Sequence, residues 1–222
     1  MTPPPFPSSI PFGSFLVYPS PATTEEEKRA KTTILRIKED RASHLSHMSL
    51  VEYAVRELRR SIESTSLGTI LRSDATFVPI PKSAPLVANA VWASRSICRA
   101  LLQANFGRDW QELIIRVRAC KKSALCSPTE RPKPIDHYET MRGVATTLWP
   151  SAIVMVDDVV TKGTTFMAAC ARLREIYSDV PIVAFAIART SSEFVNIRQP
   201  CTGEILLSDP NAWPRRRDFT VP

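Results

Sequence analysis

The stretch SAIVMVDDVVTKGTTF, residues 151–166, decides the fold class of this chain. Its apolar run from Ile153 to Val156 is typical of a buried strand, and Asp157 and Asp158 follow directly. A short loop of hydroxyl residues around Gly163 comes next, and a helical pattern starts immediately after it. Because the N–H groups at a helix N-terminus attract anions, this unit predicts an anion site with two carboxylates beside it.

Two other kinds of nucleotide-binding loop are excluded by the spacing of the glycines. A P-loop requires G-x-x-x-x-G-K-[ST], and a dinucleotide-binding fold requires G-x-G-x-x-G. Neither spacing occurs among the six glycines of the chain, which are Gly13, Gly68, Gly107, Gly143, Gly163 and Gly203. The alternative that remains is a plain strand–turn–helix whose acids only cap the helix, but capping does not require the whole pattern.

The segment resembles the motif with which type I phosphoribosyltransferases bind phosphoribosyl pyrophosphate (PRPP). That motif has four apolar residues, two acids, two apolar residues and then Thr-Thr-Gly-x-Thr or a near variant. The chain departs from it at Lys162, where the family usually has a small or hydroxyl residue. A second stretch, from Phe77 to Ser83, resembles the pyrophosphate loop of ComF-like phosphoribosyltransferases, which has Val-Pro-x-Pro after a strand. Together the resemblance covers about residues 76–190.

The resemblance implies that the chain binds PRPP with Mg²⁺ and transfers phosphoribose to or from a nitrogenous base, with pyrophosphate as the leaving group. Asp157 and Asp158 would bind the ribose hydroxyls and hold Mg²⁺ indirectly, through water or sugar hydroxyls. Lys82 would neutralise the pyrophosphate as a point charge. The 5-phosphate would bind to Thr161, Lys162, Gly163, Thr164 and Thr165.

The same resemblance implies a mobile active-site loop within residues 121–141 that covers the reacting sugar. The candidates in it for reaching the phosphates or the leaving group are Lys121, Lys122, Arg131, His137 and Tyr138. Arg189 follows the strand after the motif helix, which in the family lies beside the incoming base. Arg189 would bind a carbonyl of that base or simply pair with an acid, and the sequence leaves both open.

The predicted elements alternate between strands and helices, which indicates an α/β fold with a central, mostly parallel sheet flanked by helices. A capping box at Ser49 starts one helix, and Ser83 and Pro85 are expected to open the next. Residues 23–40 fit a helix or an extended segment. A further helix is expected over Thr164–Tyr177. Residues 119–150 show no sustained apolar periodicity. Strands are expected at Ser14–Tyr18, Thr76–Ile80, Leu113–Val117, 152–156, Pro181–Ala188 and Glu204–Leu207.

The resemblance implies a single phosphoribosyltransferase-like domain over residues 13–222, and the proline-rich composition of the preceding residues, 1–12, predicts an irregular segment. The core would span about residues 70–208, with a small hood from the N-terminal and C-terminal segments. The apolar residues of Pro181–Ala188 fall on both alternations, which predicts a strand in the middle of the sheet that is covered on both faces.

The composition is compatible with phosphorylated substrates, because the net charge is +7. The run from Pro214 to Arg217 is interpreted as a solvated tail. The five cysteines form no C-x-x-C pair, so reduced thiols and a cytoplasmic setting are expected. No membrane span or signal peptide is expected.

Alternatives to an enzyme stay open. One is a PRPP-binding regulator without robust turnover, and another is a ComF-like protein associated with DNA uptake. Nucleic acid is an open partner but not an expected one, and a homodimer is also open.

Overall fold

The computed structural model describes residues 6–39, 48–87, 90–121, 126–127 and 130–219. Two short 3-10 turns, Ile62–Ser64 and Ser66–Thr69, follow the second helix. The strands and helices of these residues are, in chain order, β1 (Ser9–Pro19), α1 (Glu25–Lys38), α2 (Leu50–Ser61), β2 (Thr76–Pro79), α3 (Ala93–Gln103), β3 (Asp109–Trp110), β4 (Ile114–Arg116), α4 (Pro134–Glu139), β5 (Met141–Gly143), β6 (Ile153–Val160), α5 (Thr164–Arg174), β7 (Ile182–Ser191), β8 (Arg198–Leu206) and β9 (Arg215–Phe219).

A seven-stranded sheet runs through the centre of the molecule in the order β3-β2-β6-β7-β1-β8-β9. The strands from β3 to β1 are parallel to their neighbours, whereas β8 and β9 are added antiparallel. The predicted α/β architecture with a mostly parallel sheet is therefore confirmed. Since parallel strands end at the same edge, β2, β6 and β7 all direct their carboxyl ends to one side of the molecule.

Helices cover both faces of this sheet. The helices α1, α2 and α3 pack on one face, where Val154 and Val156 belong to their core. The helix α5 packs on the other face, against Ile153 and Met155. Alternate residues of β6 thus enter two different cores, as the period of two along a strand requires. The neighbouring β7 also contributes to both cores and lies between β6 and β1, which confirms the central strand predicted over Pro181–Ala188.

The two N-terminal helices each begin with a capping box. The Ser49 hydroxyl accepts a hydrogen bond from the Glu52 N–H (3.1 Å), and the Glu52 carboxylate accepts one from the Ser49 N–H (2.8 Å). This confirms the predicted start of α2. Thr24 and Glu27 form the same arrangement at the start of α1. The cap decides between the two alternatives for residues 23–40 in favour of a helix.

The N-terminal segment differs from the expectation. Residues 1–12 are expected to be irregular and the N-terminal segment to belong to a hood, but β1 begins at Ser9 and lies inside the sheet, between β7 and β8. Residues 1–5 of that segment lie outside the described ranges. Pro11 would be expected to interrupt a strand, because proline has no backbone N–H to donate to a neighbouring strand. It lies just before the pairing with β7 begins at Phe12, so its missing N–H removes no hydrogen bond from that ladder.

The helix expected to open at Ser83 and Pro85 begins instead at Ala93, so that prediction was wrong. The indole N–H of Trp92 donates a buried hydrogen bond to the carbonyl of Ile80 (2.7 Å), which holds the residue before α3 at the end of β2. Among the described residues before α3, Leu86, Val87 and Val91 are exposed, so they do not continue the buried face of that helix.

Two further segments have more structure than their sequence indicated. The strand expected over Leu113–Val117 is present as β4, but it pairs with β5 outside the central sheet. The polar region 119–150 contains α4 and β5. The run Pro214–Arg217 is not a solvated tail, because β9 pairs with β8 along the whole of Arg215–Phe219.

In the part of the chain that the structure describes, every helix is too short or too polar to cross a membrane.

Candidate functional site

The acid pair lies on the second half of β6, where the strand leaves the core. Oδ1 of Asp157 accepts hydrogen bonds from the Ser94 hydroxyl (3.1 Å) and from the Asp158 N–H (2.8 Å). Oδ1 of Asp158 is 3.5 Å from Nζ of Lys38, the last residue of α1. The two carboxylates therefore have different supports: the first turn of α3 holds one, and the end of α1 supplies a cation to the other.

Burial raises the pKa of Asp157 well above its usual range, and the charge of Asp158 raises it further. Burial also raises the pKa of Asp158, although Lys38 opposes that rise. Neighbouring carboxylates repel each other as anions, so this pair favours a bound cation or hydroxyl hydrogens that would relieve the repulsion.

The pair fits the magnesium ion that the resemblance implies. Within the described ranges, no group of three or more His, Cys, Asp or Glu side chains is arranged to hold a metal ion. Mg²⁺ does not need such a group, because it keeps several waters and is usually bound through one or two carboxylates together with substrate phosphates. Asp157 and Asp158 supply that number of carboxylates.

The hydroxyl-rich loop between β6 and α5 is built around Gly163. The φ of Gly163 is 84°, in the left-handed region that favours glycine. A Cβ at this position would lie 2.6 Å from side-chain carbons of Ile205 on β8. Glycine therefore allows the loop to turn tightly against β8 and to start α5 at Thr164.

The loop and the first turn of α5 line a cavity of about 460 Å³, which we call the loop cavity. All the predicted phosphate-binding residues line it, and so does the acid pair. The structure thus brings together Asp157, Asp158, Thr161, Lys162, Gly163, Thr164 and Thr165.

Lys162, the residue that departs from the family motif, interacts with an aromatic ring. Its Nζ lies 4.8 Å from the ring centre of Trp213, at the distance of a cation–π interaction. The indole N–H of Trp213 donates to the carbonyl of Arg131 (3.3 Å), and both Trp213 and Arg131 line the loop cavity. The bulk of the lysine is accommodated against the tryptophan at the cavity wall.

A second cavity, of about 570 Å³, adjoins the loop cavity at the acid pair, and we call it the lysine cavity. Lys38, Lys82 and Lys121 all line it. The ammonium of Lys82 donates to the Val91 carbonyl (2.9 Å). Lys121 is brought close because the N–H of the preceding residue, Cys120, donates to the Ser83 carbonyl (2.7 Å). Positive charge therefore gathers at the end of β2, next to the carboxylates.

Arg116 connects the walls of the lysine cavity. It is buried, and its guanidinium donates to the carbonyls of Lys82 (2.9 Å) and His137 (3.2 Å) and to the Thr140 hydroxyl. It also lies 3.4 Å from Nδ1 of His137. Because a guanidinium has only donors, that nitrogen is the acceptor and the proton of the neutral ring is on Nε2. Burial and the charge of Arg116 lower the pKa of His137 to about 4, so the ring is neutral at pH 7.

Three of the residues expected in the covering loop line these cavities. Lys121 and His137 line the lysine cavity, and Arg131 lines the loop cavity. Tyr138 does not join them, because its ring stacks on the guanidinium of Arg172 on α5 and its hydroxyl donates to Glu175. The remaining one, Lys122, lies outside the described residues.

Arg189 lies near the end of β7 and lines a third cavity of about 1270 Å³, which we call the C-terminal cavity. This cavity shares Thr161, Lys162 and Trp213 with the loop cavity. Nε of Arg189 donates to Asp218 (3.2 Å), so the acid partner left open by the sequence is Asp218. A contact of Arg189 with a base stays a prediction.

Sequence reasoning missed several residues of this site, which the fold brings from distant parts of the chain. Because residues 23–40 fitted either a helix or an extended segment, the sequence did not indicate where Lys38 would lie. The helix expected to start at Ser83 placed Ser94 in its interior, whereas Ser94 lies in the first turn of α3. The missed residues are Lys38, Ser94, Arg116 and Trp213, together with Arg216, which lines the C-terminal cavity. A scan against models of known protein families found no match. A search of curated proteins found none either.

Proposed function

We propose that this protein is a phosphoribosyltransferase of the type I kind, which binds PRPP with Mg²⁺ and exchanges its pyrophosphate for a nitrogenous base. The observation that supports this most strongly is the position of the acid pair. Asp157 and Asp158 lie where two cavities meet, one beside hydroxyls at a helix N-terminus and the other lined by lysines. An ester phosphate and a pyrophosphate on opposite ends of one sugar match that arrangement.

Each part of PRPP has a counterpart in this arrangement. The 5-phosphate would bind in the loop cavity, where N–H groups at the start of α5 and threonine hydroxyls offer donors to an anion. The ribose hydroxyls would donate to Asp157 and Asp158. The pyrophosphate would lie in the lysine cavity, where Lys82 and Lys121 offer positive charge.

In the transfer step, the bond between C1 and the pyrophosphate oxygen breaks and its electron pair leaves with the pyrophosphate. A ring nitrogen of the base bonds to C1, and the proton that this nitrogen loses passes to solvent. The sugar becomes electron-poor as this happens, and the charges of Asp157 and Asp158 favour that state. Mg²⁺, when bound, would neutralise part of the charge of the leaving pyrophosphate. The cavities contribute by holding both ends of the substrate in position.

The test of these roles is the double variant Asp157→Asn with Asp158→Asn. Release of pyrophosphate from PRPP, assayed with a panel of nitrogenous bases, should be abolished while the circular dichroism spectrum stays native. Asp179→Asn removes a charge from an exposed acid in the turn between α5 and β7 and is the matched control, with activity retained. A double variant as active as the wild type would refute the assignment.

Calorimetric titration with PRPP tests the role of the metal separately. We expect millimolar Mg²⁺ to tighten PRPP binding relative to a solution with chelator, since the acid pair is otherwise left repelling the substrate charge. Equal affinity in the two solutions would exclude Mg²⁺ from the binding step. Tight binding without pyrophosphate release for any base would instead favour a regulatory protein that only senses PRPP.

A further inference from the structure

Arg216 lies on the last strand of the sheet, and its side chain reaches the start of the hydroxyl-rich loop. Its Nη1 donates to the carbonyls of Val160 and Thr161, each at 3.0 Å, and its Nη2 donates to the carbonyl of Thr190. The side chain is only 12% exposed. One arginine therefore joins the ends of β6 and β7 at the point where the loop begins.

These contacts determine which way the first peptide groups of the loop point. In a trans peptide, the C=O and the N–H that follows it point in opposite directions. The peptides concerned are trans, because the one cis bond in the described ranges is Ser20–Pro21. With the carbonyls of Val160 and Thr161 directed at Arg216, the N–H groups of Thr161 and Lys162 point to the other side of the loop. Arg216 lines the C-terminal cavity but not the loop cavity, whereas Thr161 and Lys162 line both.

Asp218 holds the guanidinium in this orientation. Its two oxygens accept hydrogen bonds from Nε (2.6 Å) and Nη2 (3.0 Å) of Arg216, in a bidentate pair. Asp218 also accepts a hydrogen bond from Arg189 of β7. Together with the three carbonyls, this gives an acceptor to each of the five N–H donors that a guanidinium has. A lysine has three donors without the planar fork and cannot reproduce the arrangement.

We infer that Arg216, braced by Asp218, is the positioning residue of the phosphate-binding loop. It turns the N–H groups of Thr161 and Lys162 toward the loop cavity, where they are donors to the phosphate monoester of the sugar. The identity of that ligand rests on the proposed function, whereas the orientation of the loop does not. The arginine run of the C-terminal segment thereby gains a role inside the fold.

The experiment compares Arg216→Gln and Arg216→Lys with Arg217→Gln. Arg217 is the matched control, because it is the next residue on the same strand, is exposed, and places its guanidinium 5.5 Å from the ring centre of Phe219. Amide hydrogen exchange over residues 161–166 is measured in the ligand-free proteins. Calorimetry with ribose 5-phosphate measures the affinity of the loop cavity, and thermal unfolding monitors the whole fold.

We expect Arg216→Gln to speed exchange of the loop amides and to weaken ribose 5-phosphate binding, each by about tenfold or more, since several charge-assisted hydrogen bonds are lost. Arg216→Lys should keep the fold and show part of the same loss. Arg217→Gln should change neither quantity. Where PRPP is turned over, KM for PRPP should rise more than kcat falls.

Two results separate the failure of this inference from the failure of the proposed function. Unchanged loop exchange in both Arg216 variants overturns the positioning role, whatever happens to the melting temperature. Faster loop exchange in a protein that does not bind ribose 5-phosphate even as the wild type supports the positioning role and overturns the sugar phosphate as its ligand.

Discussion

At Asp157, the surroundings that suit ligand binding destabilise the fold of the ligand-free protein. Its surroundings suit a ligand that neutralises charge, but in the free protein the same surroundings raise its pKa above the ordinary value of 3.8. A carboxyl whose folded-state pKa is raised contributes stability below its unfolded value, and this is lost as pH rises through the folded-state pKa. The ligand-free protein at pH 8 therefore carries an unfavourable buried charge.

We predict that Asp157→Asn raises the melting temperature of the ligand-free protein at pH 8 by a few degrees, on the scale of ~1 kcal/mol. The asparagine oxygen can still accept the hydrogen bonds from Ser94 and from the Asp158 N–H, so only the charge is removed. Calorimetry in chelator at pH 8 and pH 4 is the measurement. The gain should vanish at pH 4, where the native carboxyl is already protonated, and a lower melting temperature at pH 8 would contradict the prediction.

His137 has the opposite pH dependence. Its pKa falls from 6.5 to about 4 because the ring is buried and faces Arg116. A group with a depressed pKa contributes stability above its unfolded pKa, and loses it as pH falls toward the folded value. At about 1.4 kcal/mol per pKa unit, acidification from pH 6.5 to 4 should cost on the order of 3 kcal/mol.

The variant His137→Gln isolates this effect, because the titration of Asp157 is common to both proteins. We predict that the wild type loses stability relative to the variant as pH falls from 7.5 to 4.5. Urea unfolding at three pH values in this range measures the difference. A difference that stays constant across the range would mean that the ring is not held neutral in the folded protein.

At the scale of single elements, the turn between β6 and α5 depends on Gly163. We predict that Gly163→Ala destabilises the protein by about 2 kcal/mol or more, since the left-handed backbone alone costs roughly 1–2 kcal/mol and the new methyl group meets Ile205. Binding of a sugar phosphate should weaken as well, because the loop must shift. Denaturant unfolding measures the first effect.

Gly68→Ala is the matched control for this substitution. A Cβ there would meet no heavy atom within 4 Å in the described structure, and the residue is exposed. The change in its free energy of unfolding should be within about 0.5 kcal/mol. Equal losses for the two alanine variants would show that the tight approach of the loop to β8 is not what requires glycine.

The elements that sequence reasoning predicted well are those whose cause is local. The capping box at Ser49 and the run from Ile153 to Val156 need only neighbouring residues to be recognised. The start of α3 depends instead on Trp92 reaching back to Ile80, a contact that no periodicity reveals. The candidate site divides in the same way: the loop residues are contiguous and were predicted, whereas Lys38 comes from a distant helix.

At the scale of the whole molecule, strands from the N-terminal and C-terminal parts of the chain lie side by side in the sheet beside the site. The first strand, β1, pairs with β7 on one side and with β8 on the other, and β9 pairs with β8. The parallel strands place the site at one edge, and the C-terminal segment supplies Trp213, from the connection between β8 and β9, and Arg216 of β9. Such pairings join residues almost 200 positions apart, as Ser9 with Leu206, so pattern alone did not indicate them.

We predict that ending the chain after Pro214 lowers the stability of the whole fold, in addition to changing its net charge. The deletion removes the strand that pairs with β8 and takes away the hydrogen bonds of Arg216 to the loop. It also leaves Arg189 buried without Asp218, and an unpaired buried charge is costly. The melting temperature should fall by roughly 5 °C or more at this chain size, as measured by calorimetry.

Because the fold depends on the arginine run, a role of that run in nucleic-acid binding must be tested without truncating the chain. Salt-sensitive retention on DNA that disappears after truncation would not be informative, because a destabilised protein loses many surfaces at once. Arg215→Gln with Arg217→Gln removes two exposed charges and leaves Arg216 in place. If the run serves the fold, this double variant should keep the melting temperature and the DNA retention of the wild type. A native melting temperature with a clearly reduced salt dependence of retention would instead assign those two arginines to phosphate contacts on a nucleic acid.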